Sequence, residues 1–273
     1  MSRLTDWDDA YSNGAYIAGA DSYPAVWSAR AQAFRDEIAA SGRARLDPPY
    51  GGGQRQRLDL FLPPTPPKGL AVFVHGGYWL AFDKSSWSHL ARGPLEAGWA
   101  VALPSYTLAP GASLATITGE IGQAISCAAG MIEGPIRLAG HSAGGHLVTR
   151  MVCRGAPLTG VVQARIAHVV SISGIHDLRP LLRTAMGARL FRHPQEAAAE
   201  SPALLEPIMG ARVTCWVGAG ERPEFLRQAE LLANIWRGLG AETACFQEPD
   251  SHHFNVIDGL SNPDSSLTRA ILG

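Results

Sequence analysis

The sequence predicts an α/β protein: a mostly parallel central sheet of about eight strands, flanked by helices, with a small cap or none. Three observations carry this prediction. From residue 69 onward, short apolar runs alternate with stretches of helical apolar spacing, the pattern that builds a parallel sheet wrapped by helices. The first run, Leu70-Ala71-Val72-Phe73-Val74, is apolar throughout, as a strand covered on both faces must be. Finally, Gly140-His141-Ser142-Ala143-Gly144-Gly145 lies between such a run and a helical pattern, giving strand, tight turn and helix in succession. A length of 273 residues with 46% hydrophobic content suits one large α/β domain over 1–273.

Taken in order, residues 1–23 are rich in Asp, Tyr, Ser and Gly and read as irregular. Pro24 opens a helix over 24–41, with Val26, Ala29, Ala33, Phe34 and Ile38 on its inner stripe and Gly42 as its stop. Two strands follow, over 43–50 and 54–62, around Gly51-Gly52-Gly53. In the second, Leu58, Leu60 and Leu62 share one face, Asp59 and Phe61 the other. The link between them makes this pair an antiparallel edge. Pro63-Pro64-Thr65-Pro66-Pro67 is a rigid loop. Beyond the apolar run at 70–74 the pattern reads as helix 86–97, strand 99–103, helix 115–131, strand 136–139, a helix to 153 and strand 166–172. A variable stretch over 175–211 precedes strand 213–217, helix 223–239, strand 243–247, a loop with His252-His253, and a closing helix over 263–272. Residues 1–42 are expected to cover the active site, and 175–211 to form a small cap-like insertion.

Composition narrows the function. A net charge of −1 gives no basic field and argues against nucleic acid as a partner. No apolar run approaches the ~20 residues of a membrane span, and the acidic N-terminus lacks an apolar signal core. Cys127, Cys153, Cys215 and Cys245 are scattered in apolar contexts without Cys-x-x-Cys spacing, which reads as buried free thiols in a reducing cytoplasm. The expected partner is a small-molecule substrate; a homodimer is admitted but not specified.

The chemistry centres on Ser142. Glycines on both sides let the chain turn sharply and project the hydroxyl, and the following helix aims free N–H groups at charge forming beside it. A serine hydroxyl needs a base, a group to orient that base, and donors for the oxyanion. In an open α/β sheet these come from loops at the carboxyl ends of strands. His75-Gly76-Gly77 follows a buried strand, so Gly76 or Gly77 N–H and Ala143 N–H are the oxyanion donors, with His75 a tether for that loop. His252 and His253 follow the last strand, where the order serine, acid, histidine wants a base; His141 and His146 are too close to Ser142 along the chain. Glu221 sits in the loop after strand 213–217 and is free to reach an imidazole. Glu224 lies at a helix start, where a carboxylate already suits the dipole. Asp177, the reserve, reads better as a cap. His252-His253 with Asp250 do not converge as metal ligands, and no phosphate-binding glycine motif follows the early strands, so neither metal nor cofactor is called for.

Together these residues resemble the α/β-hydrolase superfamily, and within it the kynurenine formamidase (arylformamidase) branch and bacterial esterase-like relatives. The match covers most of 55–260. His75-Gly76-Gly77-Tyr78-Trp79 is similar to that branch's oxyanion loop, with an aromatic pair replacing the third glycine of the lipase form. Ser173-Gly174-Ile175-His176-Asp177-Leu178-Arg179-Pro180-Leu181 and Val217-Gly218-Ala219-Gly220-Glu221-Arg222-Pro223-Glu224-Phe225 resemble its later segments. His253-Phe254 matches its catalytic His followed by Phe, which selects His253 over His252. The animal and fungal enzymes usually carry Asp where this chain has Glu221. The resemblance implies a cofactor-free serine hydrolase in which Ser142, His253 and Glu221 cleave a small aryl formamide. Tyr78 and Trp79, beside the oxyanion loop, either stack on the aryl group or pack under the loop, and they are assigned with His141 to the substrate pocket. The alternatives are a carboxylesterase for short acyl esters and an idle hydrolase fold used for binding.

Overall fold

The computed structural model describes residues 6–273. Its eight strands are β1 Ala44–Arg45, β2 Leu58–Phe61, β3 Leu70–Val74, β4 Ala100–Pro104, β5 Ile136–His141, β6 Ile166–Ile172, β7 Arg212–Gly218 and β8 Glu242–Glu248. Its helices are α1 Trp7–Ala10, α2 Tyr23–Ala40, α3 Arg92–Glu96, α4 Leu114–Met131, α5 Ala143–Arg150, α6 Gly160–Ala164, α7 Gly187–Leu190, α8 Pro194–Ala199, α9 Pro223–Gly238 and α10 Ser266–Leu272. The strands form one sheet in the order β1-β2-β4-β3-β5-β6-β7-β8. β1–β2 and β2–β4 are antiparallel and every other pair is parallel. The register sets Val74 beside Gly140, Gly140 beside Ser171, and Ile172 beside Trp216. The loops leaving β3, β5, β6 and β7 therefore emerge side by side, at the edge where such sheets place their sites.

Alternation within each strand sorts the core into two layers. In β3, Leu70, Val72 and Val74 pack toward α4 and α5, in the layer that α9 continues over β7 and β8; the inward residues of these helices include Ile121, Leu147 and Leu232. Ala71 and Phe73 face the opposite layer, with Trp27 and Phe34 of α2, Leu95 of α3 and Leu267 of α10. β2 alternates as its sequence predicts, yet both its faces are buried: Asp59 on the second face is fully enclosed and pairs with Lys84 Nζ at 2.8 Å.

The structure corrects the local reading in four places. α2 turns its stripe by one residue: Trp27, Ala31, Phe34 and Ile38 are buried and Val26 is 42% exposed. Trp27 sets that phase by packing on Trp87, with ring centroids 4.6 Å apart. The predicted helix 86–97 divides into a 3₁₀ turn, Ser88–Ala91, and the short α3. Pro94 has no N–H to bond a carbonyl four residues back, so α geometry begins just before it. The strand predicted over 43–50 shrinks to β1, because Pro48 and Pro49 cannot donate to a ladder. Cys153 and Cys215 are buried, but Cys127 is half-buried and Cys245 exposed, since β8 is an edge strand with much of its length open to solvent.

Buried imidazoles make the fold sensitive to acid. Burial pushes His75, His89, His146 and His168 down to about 4 and His176 to about 3. Burial, with His253 beside it, also holds His141 well below its ordinary value. The unfolded chain takes up these protons near pH 6.5, the native chain only far below. Stability is therefore complete above about pH 6.5 and falls as pH drops toward about 4, by up to about 1.4 kcal/mol per pH unit for each such histidine. We expect the thermal midpoint to fall by about 10 °C or more between pH 7.5 and pH 5. A midpoint unchanged over that range would contradict neutral burial of these rings.

Candidate active site

β5 runs directly into Ser142, whose backbone has φ 54° and ψ −115°. That left-handed conformation is costly for a residue other than glycine, by about 1–3 kcal/mol, and its surroundings hold it. Ser142 N–H donates to Ile172 O at 2.8 Å, and His146 N–H to Ser142 O at 3.2 Å. Gly144 allows the turn to press against β3: a Cβ there would lie 1.9 Å from Val74 O. The hydroxyl of Ser142, a residue 1% exposed, has no hydrogen-bond partner among the described residues. Ser142 and His253 line one cavity without a closed hydroxyl–imidazole bond, a looseness common before substrate binds.

The loop after β3 lies across this turn. Gly76 sits against Ser142, so closely that a Cβ on it would approach Ser142 Cβ at 3.1 Å. Gly77 has φ 109°, which glycine alone adopts without strain. Tyr78 and Trp79 follow at φ 51° and 58°, and this coil throws consecutive side chains apart. Tyr78 lines the cavity. Trp79 does not: it is 0% exposed and packs edge-on to His146 in the core, which overturns its expected place at the substrate. His75 fits its reading as a tether, with its ring stacked on Tyr106 at 4.3 Å and its Nδ1 2.8 Å from Gly76 O. Among the described residues, the N–H groups of Gly76, Gly77 and Ala143 find no acceptor.

Glu221 and His253 meet. His253 Nδ1–H donates to Glu221 Oε2 at 2.6 Å. Glu221 Oε1 accepts from Gly218 N–H at 2.9 Å and from the Ser173 hydroxyl. With both oxygens occupied, the carboxylate is fixed, and with Nδ1 protonated, Nε2 of His253 carries the free lone pair. Ser173 went unrecognised in the sequence; its signal is its place at the carboxyl end of β6, beside the loop that bears Glu221. Glu224 faces elsewhere, bonded by Tyr11 at 2.7 Å and by Arg227. Asp177 is clasped by Arg179 at 2.9 Å and caps Arg179 N–H.

The two adjacent histidines part company. His252 Nδ1 accepts from Phe254 and Asn255 N–H, and its Nε2 lies 3.2 Å from the Tyr23 hydroxyl, so it anchors the loop to α2. His141 lines the cavity as expected and also supports its neighbour: its Nε2–H donates to His253 O at 2.9 Å, and the two rings lie 4.6 Å apart.

The cavity above Ser142 and His253 measures about 920 Å³. Its aromatic walls are Tyr11, Trp27, Tyr78, Phe82, Trp87 and Phe254, and more than half of its lining residues come from positions 8–24. From 175–211 only Met186 reaches it. The N-terminal cover is fastened to the acid loop. Arg222 pairs with Asp9 and stacks on Tyr16 at 3.7 Å, while Tyr11 bonds Glu224.

Residues 71–265 match the model of a family described as "Alpha/beta hydrolase family". The chain belongs to the alpha/beta hydrolase family. As such it is a hydrolase, and the matched span holds Ser142, Glu221 and His253. It is 28% identical to kynurenine formamidase of Danio rerio over 91% of this chain and 92% of that one. To kynurenine formamidase of Drosophila melanogaster it is 27% identical, over 81% and 78%. A crystal structure from Silicibacter sp., described as that of a proposed thioesterase, superposes with a TM-score of 0.94 at 51% identity over 99% of this chain and 100% of that one. The hyperthermophilic esterase of Pyrobaculum calidifontis shares the alpha/beta hydrolase fold at a TM-score of 0.68 and 18% identity. Among the described residues no helix is long and apolar enough to cross a membrane.

Proposed function

We propose that this hydrolase cleaves a small aryl formamide, of the N-formylkynurenine kind, through an acyl-serine intermediate. The observation that carries the mechanism is the 2.6 Å bond from His253 Nδ1–H to an immobilised Glu221. It leaves Nε2 as the base. Ser142 Oγ loses its proton to His253 Nε2 and attacks the formyl carbon, and the oxyanion is held by N–H groups of Gly76 or Gly77 and Ala143. Collapse of the tetrahedral intermediate transfers that proton to the leaving amine. Water, deprotonated by His253, then releases formate and regenerates Ser142. Glu221 stays ionised and orients the imidazole.

The formamide reading draws on the kynurenine formamidase relatives, aligned over nine-tenths of the chain, and on the aromatic cavity walls, which offer stacking to an aryl group. A short-chain carboxylesterase is the second reading: a cavity of about 920 Å³ has room for both the acyl and the alcohol part of a small ester as well as for an aryl formamide. Four free thiols support a reducing, cytoplasmic setting. Side-by-side kcat/KM values decide the substrate. We expect N-formylkynurenine to exceed phenyl acetate by at least about tenfold; the reverse ratio would assign the chain to esters, and no turnover of either would overturn both substrate readings.

A further inference from the structure

The cover presents one polar group that its own fold does not use. Asn13 is 6% exposed and precedes the 3₁₀ turn Gly14–Tyr16. Asn is favoured there because its side chain caps such turns, yet this side chain makes no cap bond, and among the described residues its Nδ2 has no hydrogen-bond partner. The backbone alone builds the turn: Asn13 N–H donates to Tyr11 O at 3.2 Å, and Asn13 O accepts from Tyr16 N–H at 3.0 Å. The Tyr78 hydroxyl is a neighbour of Asn13, but no hydrogen bond of sound geometry joins Nδ2 to it, and it is spent as a donor on Tyr11 O. Asn13 lines the cavity that holds Ser142 and His253.

A buried amide without a partner forfeits its hydration and gains nothing in return, so such groups in a native fold point to a function. Besides the Ser142 hydroxyl, Trp87 Nε1 is another donor on this wall without a partner among the described residues, but an indole is accounted for by its ring, which packs on Trp27 and Phe82. A carboxamide has no comparable packing role. The donor is also held in place from both sides, since Tyr11 is bonded to Glu224 and Tyr16 to Asp9, and preorganisation is what a specificity contact requires.

Resting on the formamide reading, we infer that Asn13 is a specificity-determining residue whose Nδ2–H donates to an uncharged carbonyl oxygen on the aryl leaving group. The formyl group is small, so the bulk of the cavity is left to the leaving group. The acidic residues on the wall, Asp8 and Asp21, oppose an anionic acceptor and leave a neutral carbonyl as the fitting partner. Sites built to bond a polar substrate group reject analogues that lack it.

The test compares formanilide with its ring-acetylated derivatives, in the intact protein and in N13L and N13D. Leucine and aspartate remove the donor in different shapes, so one variant serves if the other fails to fold. Intrinsic differences in leaving-group reactivity cancel in the ratio of variant to parent. The expected result is a loss of about tenfold or more in kcat/KM on an acetylated substrate, mostly in KM, with less than about twofold on formanilide. Equal losses on both, or none, would overturn the assignment, because a damaged cover depresses both alike. If the parent turns over no formanilide, the formamide reading has failed. Phenyl acetate and its ring-acetylated derivatives then carry the same contrast and judge Asn13 separately.

Discussion

Ser142→Ala lowers turnover of p-nitrophenyl acetate by at least about 10⁴-fold, the scale on which loss of a serine nucleophile is felt. The folded state scarcely notices. Ser142 Oγ has no hydrogen-bond partner among the described residues, and the bonds that hold the strained turn are made by its backbone. The thermal midpoint should therefore stay close to that of the parent, separating a chemical loss from a structural one. Stopped-flow mixing adds a second reading: a burst approaching one equivalent of nitrophenol per chain in the parent and none in the variant. Unchanged hydrolysis by the pure variant would remove Ser142 from the mechanism, and the roles of His253 and Glu221 with it.

His253→Ala and His252→Ala differ by orders of magnitude although the residues adjoin. Loss of His253 removes the imidazole bonded to Glu221 and should cost kcat about 10³-fold or more. Loss of His252 removes an acceptor for Phe254 and Asn255 N–H and a partner of Tyr23. That costs stability on the order of 1–2 kcal/mol and kcat less than about tenfold, through looser placement of the next residue. Steady-state kinetics beside thermal melts separate the two. Equal, modest losses in kcat would contradict the assignment.

The sequence was legible where a single strand and its exit loop sufficed. β6 occupies the residues its apolar run indicated, and Ser142, Glu221 and His253 lie where the carboxyl ends of β5, β7 and β8 lead. It was opaque where partners are far apart in the chain. Nothing local shows that Tyr11 bonds Glu224, 213 positions away, or that Ser173 completes the hold on Glu221. Trp79 misled because two successive left-handed residues invert the expected direction of its side chain. Asn13 was hidden for a different reason: an unsatisfied donor shows itself only once every neighbour is placed. Of the segment 1–42 expected to cover the site, residues from Asp8 to Trp27 contribute to the cavity lining, while 1–5 lie outside the described residues.

Glu221 is followed closely in sequence by the two residues that fasten the cover, Arg222 to Asp9 and Glu224 to Tyr11. Selectivity and turnover number are thus soldered at one joint. A cover grafted from a relative to change the substrate would pull on the loop that steadies the proton relay. Variants in this lineage that explore new substrates must therefore retune residues 222 and 224 together with positions 9 and 11, so divergence at these four positions should come in matched sets.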